Sequence, residues 1–349
     1  MSTIVSIEQL EAAANAAIDF PGETSVLWQN EQQRPLLRDL TAASKTFPGG
    51  KGNVTENVAG EYVSELEGFE YDNSVGFGNP GKMKKAEYPW KLMHCGINVT
   101  KHELLQNGIS VSPHSKGEPT KLNGRDKMVL AELFEYKIED MQGGMSKDMD
   151  EMLWGDGTAD PLLVPGIRSI ILDDPTDNVT VGAIDQVLNT WWRNYAALGI
   201  TTTTPSDGNI ANALQVGVRA MRKNSKGMPK HKAYAGSDYL EALEKELRAK
   251  GNYTLDGWAK TGSIDMSIAD AKFKGVEIEY APTLDDLGLA KYNYWVDTKV
   301  IRLRPIEGED MQKHSPQPPH NKYVIYRAMT WAGALSARQR NTSGVFSIA

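Results

Sequence analysis

Residues 126–167, DKMVLAELFEYKIEDMQGGMSKDMDEMLWGDGTADPLLVPGI, read as one long amphipathic helix that runs into a glycine-rich stop. Leu130, Phe134, Ile138, Met141, Met145, Met149 and Met152 recur at steps of three and four, which is the spacing of one helical face. Charged residues, among them Glu132, Glu135, Glu139, Lys147 and Asp148, stand between them, so the opposite face is solvated and the helix lies on a core. At about 1.5 Å per residue, 126–154 spans roughly 40 Å, long beside the usual three turns. Gly143 and Gly144 interrupt the pattern at about 1 kcal/mol each in helix propensity, which predicts a bend or hinge, or else only a local weak spot. Gly155, Asp156, Gly157 and Thr158 then stop the helix, because glycines past the last periodic residue supply left-handed backbone.

Composition narrows the function classes. The 349 residues are 40% hydrophobic, enough for a soluble, globular core in one to three domains. A net charge of -7 argues against a dedicated nucleic-acid binder. Cys95 is the only cysteine, which excludes disulfides and thiolate metal sites built within one chain and fits a reducing compartment. The first twenty residues lack a basic region ahead of their apolar ones, and no apolar run reaches about 18 residues, so neither a signal peptide nor a membrane span is expected.

No catalytic constellation competes for attention. Gly76, Gly78 and Gly81 have the spacing of a dinucleotide fingerprint, but Pro80 and Pro89 oppose the helix it needs. Asp156, Thr158 and Asp160 resemble the start of a calcium loop, yet Pro161 stands where glycine is required, so turn chemistry accounts for them. The six histidines lack metal-ligand spacing. Trp191, Trp192 and Arg193 offer a stacking platform if read sharply and ordinary core if read by their spacing. No nucleophile has a local partner, and no cofactor or metal is expected.

Around the long helix the chain changes character several times. Ser6 and Gln9 form a capping box for a short helix ending near Ile18. From Pro21 to about Gly81 there is no strong period, which predicts either a disordered segment or an arm held by something outside its own domain. Residues 88–100 alternate as a strand, with Gly96 as a candidate bulge or tight bend, and 101–108 read as a short helix. After the glycine turn, Arg168 to Leu172 read as a strand, and Ile184, Leu188, Trp191 and Tyr195 recur at helical spacing. Asp207 is placed to cap a helix whose inner face is Ile210, Leu214, Val218 and Met221. A strand at Lys232–Ala235 leads to a helix over Asp238–Lys250, with Leu240, Leu243 and Leu247 inward and Glu241/Lys245, Glu244/Arg248 and Glu246/Lys250 paired outward. This alternation predicts an α/β or α+β domain over about 199–290. Two β runs, Tyr294–Arg304 and Lys322–Gln339, follow, and Pro316, Pro318 and Pro319 between them predict a stiff unpaired loop.

The order of these parts, with the WGDGTADPLLVPGI stop, the segment TVGAIDQVLNTWWRN and the final β pair, resembles the major capsid protein of tailed bacteriophages, a family of Hong Kong 97-type fold. The resemblance covers nearly the whole chain. It implies an α+β fold with an N-terminal arm and linker at 1–63, an extended β-hairpin loop at 64–95 and a peripheral domain at 96–198 and 291–340. That domain is built on a spine helix at 126–154, with an axial domain at 199–290 and a C-terminal tail at 341–349. The implied role is structural rather than enzymatic. Copies self-assemble through hexamers and pentamers into an icosahedral phage head, after synthesis in the host cytoplasm, and enclose double-stranded DNA without sequence-specific binding and without a membrane. Such a shell admits scaffolding, portal and decoration proteins as further partners. Gly143, Gly144, the Gly155–Thr158 turn, Trp191, Trp192, Arg193, Pro316, Pro318 and Pro319 are then structural or assembly residues. Lys82, Lys84, Lys85 and Asn321 fall where some relatives form lysine–asparagine crosslinks. Two rival readings are an encapsulin-like shell holding protein cargo and a soluble α/β enzyme.

Overall fold

A computed structural model describes residues 3–5, 31–62, 64, 66–74, 76–77, 83–106, 109–111, 124–225, 227, 229–249, 272–317 and 324–349. The expected helix near Ser6–Ile18, the glycines Gly78 and Gly81, and Lys82, Pro318, Pro319 and Asn321 lie outside these residues. In chain order, β1 (Thr3–Val5) and α1 (Pro35–Ala42) precede β2 (Asn53–Val58), β3 (Lys84–Pro89) and β4 (Lys91–Thr100). Then come α2 (Lys101–Gln106), β5 (Ile109–Val111) and the long α3 (Gly124–Trp154). The middle of the chain holds α4 (Ile167–Ile170), β6 (Thr180–Val181), β7 (Ile184–Asp185), β8 (Tyr195–Ile200), α5 (Asn209–Lys223), β9 (His231–Ala235), α6 (Ser237–Ala249), β10 (Lys272–Phe273), β11 (Val276–Tyr280) and α7 (Pro282–Asp286). The remainder is β12 (Tyr292–Asp297), β13 (Ile301–Pro305), β14 (Gln312–Gln317), β15 (Val324–Ala337) and β16 (Gly344–Ile348). Two compact units result, one from Met1–Gln32, Leu92–Met149 and Ile306–Ala332, the other from Gln33–Lys91, Asp150–Pro305 and Gly333–Ala349.

In the first unit, α3 buries Ile138, Met141, Met145 and Met149, so the methionine stripe is core. The helix continues without a break through Gly143 and Gly144, where a Cβ would meet nothing within 4 Å. Burial of Met141 and Met145 on either side offsets the propensity cost, since packing of an apolar face supplies most helical stability in proteins. Thr100 and Glu103 exchange hydrogen bonds as a capping box for α2, and Lys137 pairs with Glu103 at 2.9 Å. Gly96 sits within β4, and a Cβ there would come 2.9 Å from the His94 ring and 3.3 Å from the Arg327 carbonyl, so its smallness permits close packing. The expected proline loop is also corrected: Gln312–Gln317, including Pro316, pairs with β15 as a strand. The register shifts between His314 and Gln317, and such an irregularity at a sheet edge is where proline is tolerated.

The second unit is organised by a mixed six-stranded sheet in the order β10-β11-β9-β12-β16-β8. The helices α5 and α6 contribute Ile210, Leu214, Val218, Tyr239, Leu240 and Leu243 to a core shared with Trp295 and Phe346 of the sheet. Gly217 lets α5 approach, since a Cβ there would fall 2.4 Å from the Phe346 ring. The N-terminus of α5 is not capped by Asp207, which lies in a separate 3-10 turn. Instead the buried Glu246 carboxylate of α6 accepts the Ile210 and Ala211 amides at 2.9 and 3.0 Å. A carboxylate there satisfies two orphan donors and meets the positive end of the helix dipole. Glu246 is therefore buried rather than outward, Lys250, its expected partner, lies outside the described residues, and Leu247 is partly exposed rather than inward.

Several expectations fail where strand partners decide the outcome. Tyr294–Arg304 is not one run: β12 belongs to the six-stranded sheet, and β13 pairs instead with β15. Residues 341–349 are not a tail, because β16 is buried throughout and lies between β12 and β8. The sheet beside α5 and α6 thus takes strands from beyond 199–290. Arg168–Leu172 contains the helical turn α4 rather than a strand, and 184–195 contains β7, a 3-10 turn and the start of β8 rather than a helix. The arm expected before residue 64 contains α1 and β2, elements too short to stand out by periodicity.

Candidate assembly interface

The stop after the long helix is a close-packed turn. Gly157 has φ +80°, and a Cβ on it would lie 2.9 Å from the Pro165 Cβ. Gly155 does not have positive φ; its amide donates to the Met152 carbonyl at 3.0 Å. Gly166 closes the turn, with space for a Cβ already occupied by the Leu153 carbonyl oxygen at 2.3 Å. Asp156 accepts the Thr158 amide at 2.9 Å and the Thr158 hydroxyl at 2.8 Å, which holds its carboxyl below the usual range. The same Asp-X-Thr geometry recurs at Asp174 and Thr176, at 2.8 and 2.6 Å. These aspartates serve turns. Among the described residues, no group of three or more His, Cys, Asp and Glu side chains could hold a metal ion. Among the same residues, no helix is long and apolar enough to cross a membrane.

Trp191, Trp192 and Arg193 all make contacts within the chain, Trp191 against the Trp192 ring. Trp192 is buried and donates its indole N–H to the Val181 carbonyl at 3.0 Å. Arg193 Nε donates to the Gln186 carbonyl at 2.8 Å. Beneath them lies Arg340, fully buried, which donates to the Ile170 carbonyl at 2.6 Å, Gln186 Oε1 at 3.2 Å and Asn194 Oδ1 at 3.1 Å. Its pKa is pushed down to about 10 by burial. Arg340 thereby ties the end of α4 to Gln186 and Asn194, which flank the 3-10 turn, and nothing local in the sequence marks it.

The strands β2 and β3 form an antiparallel hairpin in register from Asn53↔Pro89 to Val58↔Lys84. The paired strands therefore begin before the expected start of the extended loop at residue 64. Its base is anchored at several points. Glu56 is buried and accepts hydrogen bonds from Arg304 and, at 2.7 Å, from Arg338. Tyr88 donates to the Ala337 carbonyl at 3.0 Å and packs against Gly182. Lys84 donates to Asn189 Oδ1 at 2.5 Å, and Gly60 lies directly on the Trp191 ring. Beyond this base the described part of 59–83 changes completely. Tyr62, Leu66, Tyr71 and Phe77 are 94–107% exposed, and Phe69 is 68% exposed. Large adjoining apolar side chains left in water mark an interaction surface.

Comparison with known proteins gives the fold its place. No family model and no curated protein matches the sequence. Among solved structures, the capsid asymmetric unit of cyanophage A-1(L) aligns with a TM-score of 0.64 at 13% identity, covering 93% of this chain and 96% of that one. The capsid of a native GTA particle aligns at 0.56 and 11% identity over 95% of both chains. The capsid of Myoviridae phage XM1 aligns at 0.55 and 11% identity over 94% and 96%. The α+β architecture with its long helix is thus the Hong Kong 97-type capsid fold, shared across nearly the full length of this chain and of each of these capsid chains.

Proposed function

We propose that this chain is the major capsid protein of a tailed phage, whose copies assemble into an icosahedral head around double-stranded DNA. The observation that carries this reading is the end-to-end match to capsid chains. The exposed aromatic loop supports it, because a lone copy leaves that surface in water while a shell repeats one contact through symmetry. In this reading α3 is the spine of a peripheral domain, the six-stranded sheet with α5 and α6 is the axial domain, and the β2–β3 hairpin is the extended loop. The Gly155–Thr158 turn, Trp191, Trp192 and Arg193 hold the loops that carry subunit contacts. Gly143 and Gly144, with open space around them, are where the spine adapts between subunit environments; equal curvature in every subunit of a particle reconstruction would refute that role.

Negative-stain microscopy and sedimentation of the expressed protein test the reading. Closed shells or capsomers are expected. A stable monomer or small oligomer under assembly conditions overturns it. Particles from the native source are expected to hold nuclease-protected DNA, and a protein cargo in its place would favour the encapsulin-like alternative. Scaffolding, portal and decoration proteins are the additional partners expected to co-purify with such particles.

A further inference from the structure

At one end of the six-stranded sheet the fold gathers cations from four separate segments. No Asp or Glu stands between Asp207 and Asp238, whereas that stretch holds Arg219, Arg222, Lys223, Lys230 and Lys232. At the C-terminal end of α5, Arg222 Nη2 donates to the Lys274 carbonyl at 3.3 Å. The Lys230 carbonyl accepts the Thr298 amide at 3.1 Å, next to Lys299. Lys274 occupies the tip of the two-residue turn between β10 and β11, with φ +49° in the left-handed region that favours glycine. Arg219, Lys223, Lys230 and Lys274 are exposed, and none of them forms a salt bridge with a described residue.

The charges already present there do not cancel this excess. The end of α5 carries about half a negative charge from its dipole, which Arg222 alone offsets. Asp297 is buried, and its Oδ1 accepts the Lys230 and Lys299 amides at 3.1 Å each, so its charge is held by backbone donors. Glu277 stands 3.7 Å from Lys272. The kind of partner follows from what the surface lacks. Over the described parts of 219–232, 272–275 and 298–302 no large hydrophobic side chain is exposed. A protein partner would require an apolar centre, from which lysine is depleted. A phosphodiester backbone requires only cations: a duplex presents one negative charge per about 1.7 Å of axis, and lysine meets phosphate as a mobile point charge. With a net charge of -7 the chain as a whole repels such a polymer, so attraction is confined to a local surface.

We propose that Arg219, Lys223, Lys230 and Lys274 form a contact for the phosphate backbone of the enclosed double-stranded DNA, made without reading its bases. Phosphate contacts of this kind position a duplex and carry no sequence information. This inference rests on the shell reading above and gives the shell wall a defined place at which its cargo touches it.

Lysine acetylation read by mass spectrometry, on DNA-filled heads and on DNA-free shells assembled from the expressed protein, tests it. Lys223, Lys230 and Lys274 are expected to label several-fold less in filled heads, while the exposed Lys51 and Lys147 label alike in both. Failure of the expressed protein to form shells overturns the shell reading, whereas shells whose basic lysines label equally with and without DNA overturn only the DNA contact. Binding of the expressed protein to a short duplex of random sequence, followed by fluorescence anisotropy, gives a second measure. Four phosphate contacts predict an affinity loss of about 100-fold between about 50 and 200 mM salt. Lys223→Gln with Lys230→Gln should lower the slope of log affinity against log salt by about 2, and Lys51→Gln with Lys147→Gln should leave it unchanged. An unchanged slope in the first variant overturns the proposal. So does a fall in its particle yield, which would assign the surface to a protein contact instead.

Discussion

The two ends of the β2–β3 hairpin obey opposite physics. At its base, polar groups have partners within the chain: the buried Glu56 faces Arg304 and Arg338, the buried Tyr88 reaches the Ala337 carbonyl, and Lys84 reaches Asn189. Along the described part of its loop, aromatic side chains face water and four acids lack an ionic partner among the described residues. A segment built as an intramolecular element closes its own hydrogen bonds and charges, as the base does. One that leaves its apolar area open is completed by another molecule.

Breaking the base at its charge centre should have the largest effect. Glu56→Ala leaves Arg304 buried without its carboxylate, and a loss of about 3–5 kcal/mol in urea unfolding is expected. Acid should reproduce part of this. Burial pushes the Glu56 carboxyl up, but hydrogen bonds from Arg338 and Arg304 outweigh it and hold the pKa below the ordinary 4.5. The unfolded chain therefore takes up the proton first. The stabilisation is full above about pH 4.5 and is lost as pH falls through the folded-state value. A urea midpoint that does not fall across this acid range would show that the ion cluster is not coupled to folding.

A substitution outside the hairpin calibrates the scale. Gly157→Val combines left-handed backbone with a clash against Pro165, and a loss of about 2–4 kcal/mol is expected by thermal denaturation. Tyr88→Phe removes one buried hydrogen bond at the base while keeping the ring, which should cost about 1–2 kcal/mol. In the loop, Tyr71→Ser should change monomer stability by less than about 0.5 kcal/mol, as for other exposed sites, while reducing particle yield. A large stability loss from Tyr71→Ser, or none from Tyr88→Phe, would erase the distinction between base and loop.

The parts legible beforehand share one property. The stripe of α3, the inner faces of α5 and α6 and the glycine stop are written in residues three or four apart, where neighbours in sequence are neighbours in space. The same rule misled at 184–195: Ile184, Leu188, Trp191 and Tyr195 have helical spacing, yet Trp192 turns inward to Val181 and Arg340, and the segment folds as strands and a 3-10 turn. The assembly surface was legible only as an unpatterned stretch. Its composition left disorder and an outside partner as alternatives, and its anchors at Glu56, Tyr88 and Gly60 carried no local signal.

By itself the sequence determined where the long helix runs, which face it buries and where it must stop, because those depend on local period and on backbone that only glycine adopts easily. Tertiary structure alone decided that β16 enters the middle of the sheet, that Glu246 caps α5 and that Glu56 meets Arg304 across 248 residues of chain. Pairings of that kind depend on how distant segments are brought together. Their partners share no spacing that a linear pattern can record, and the fold selects them by burying each polar group only where another can satisfy it.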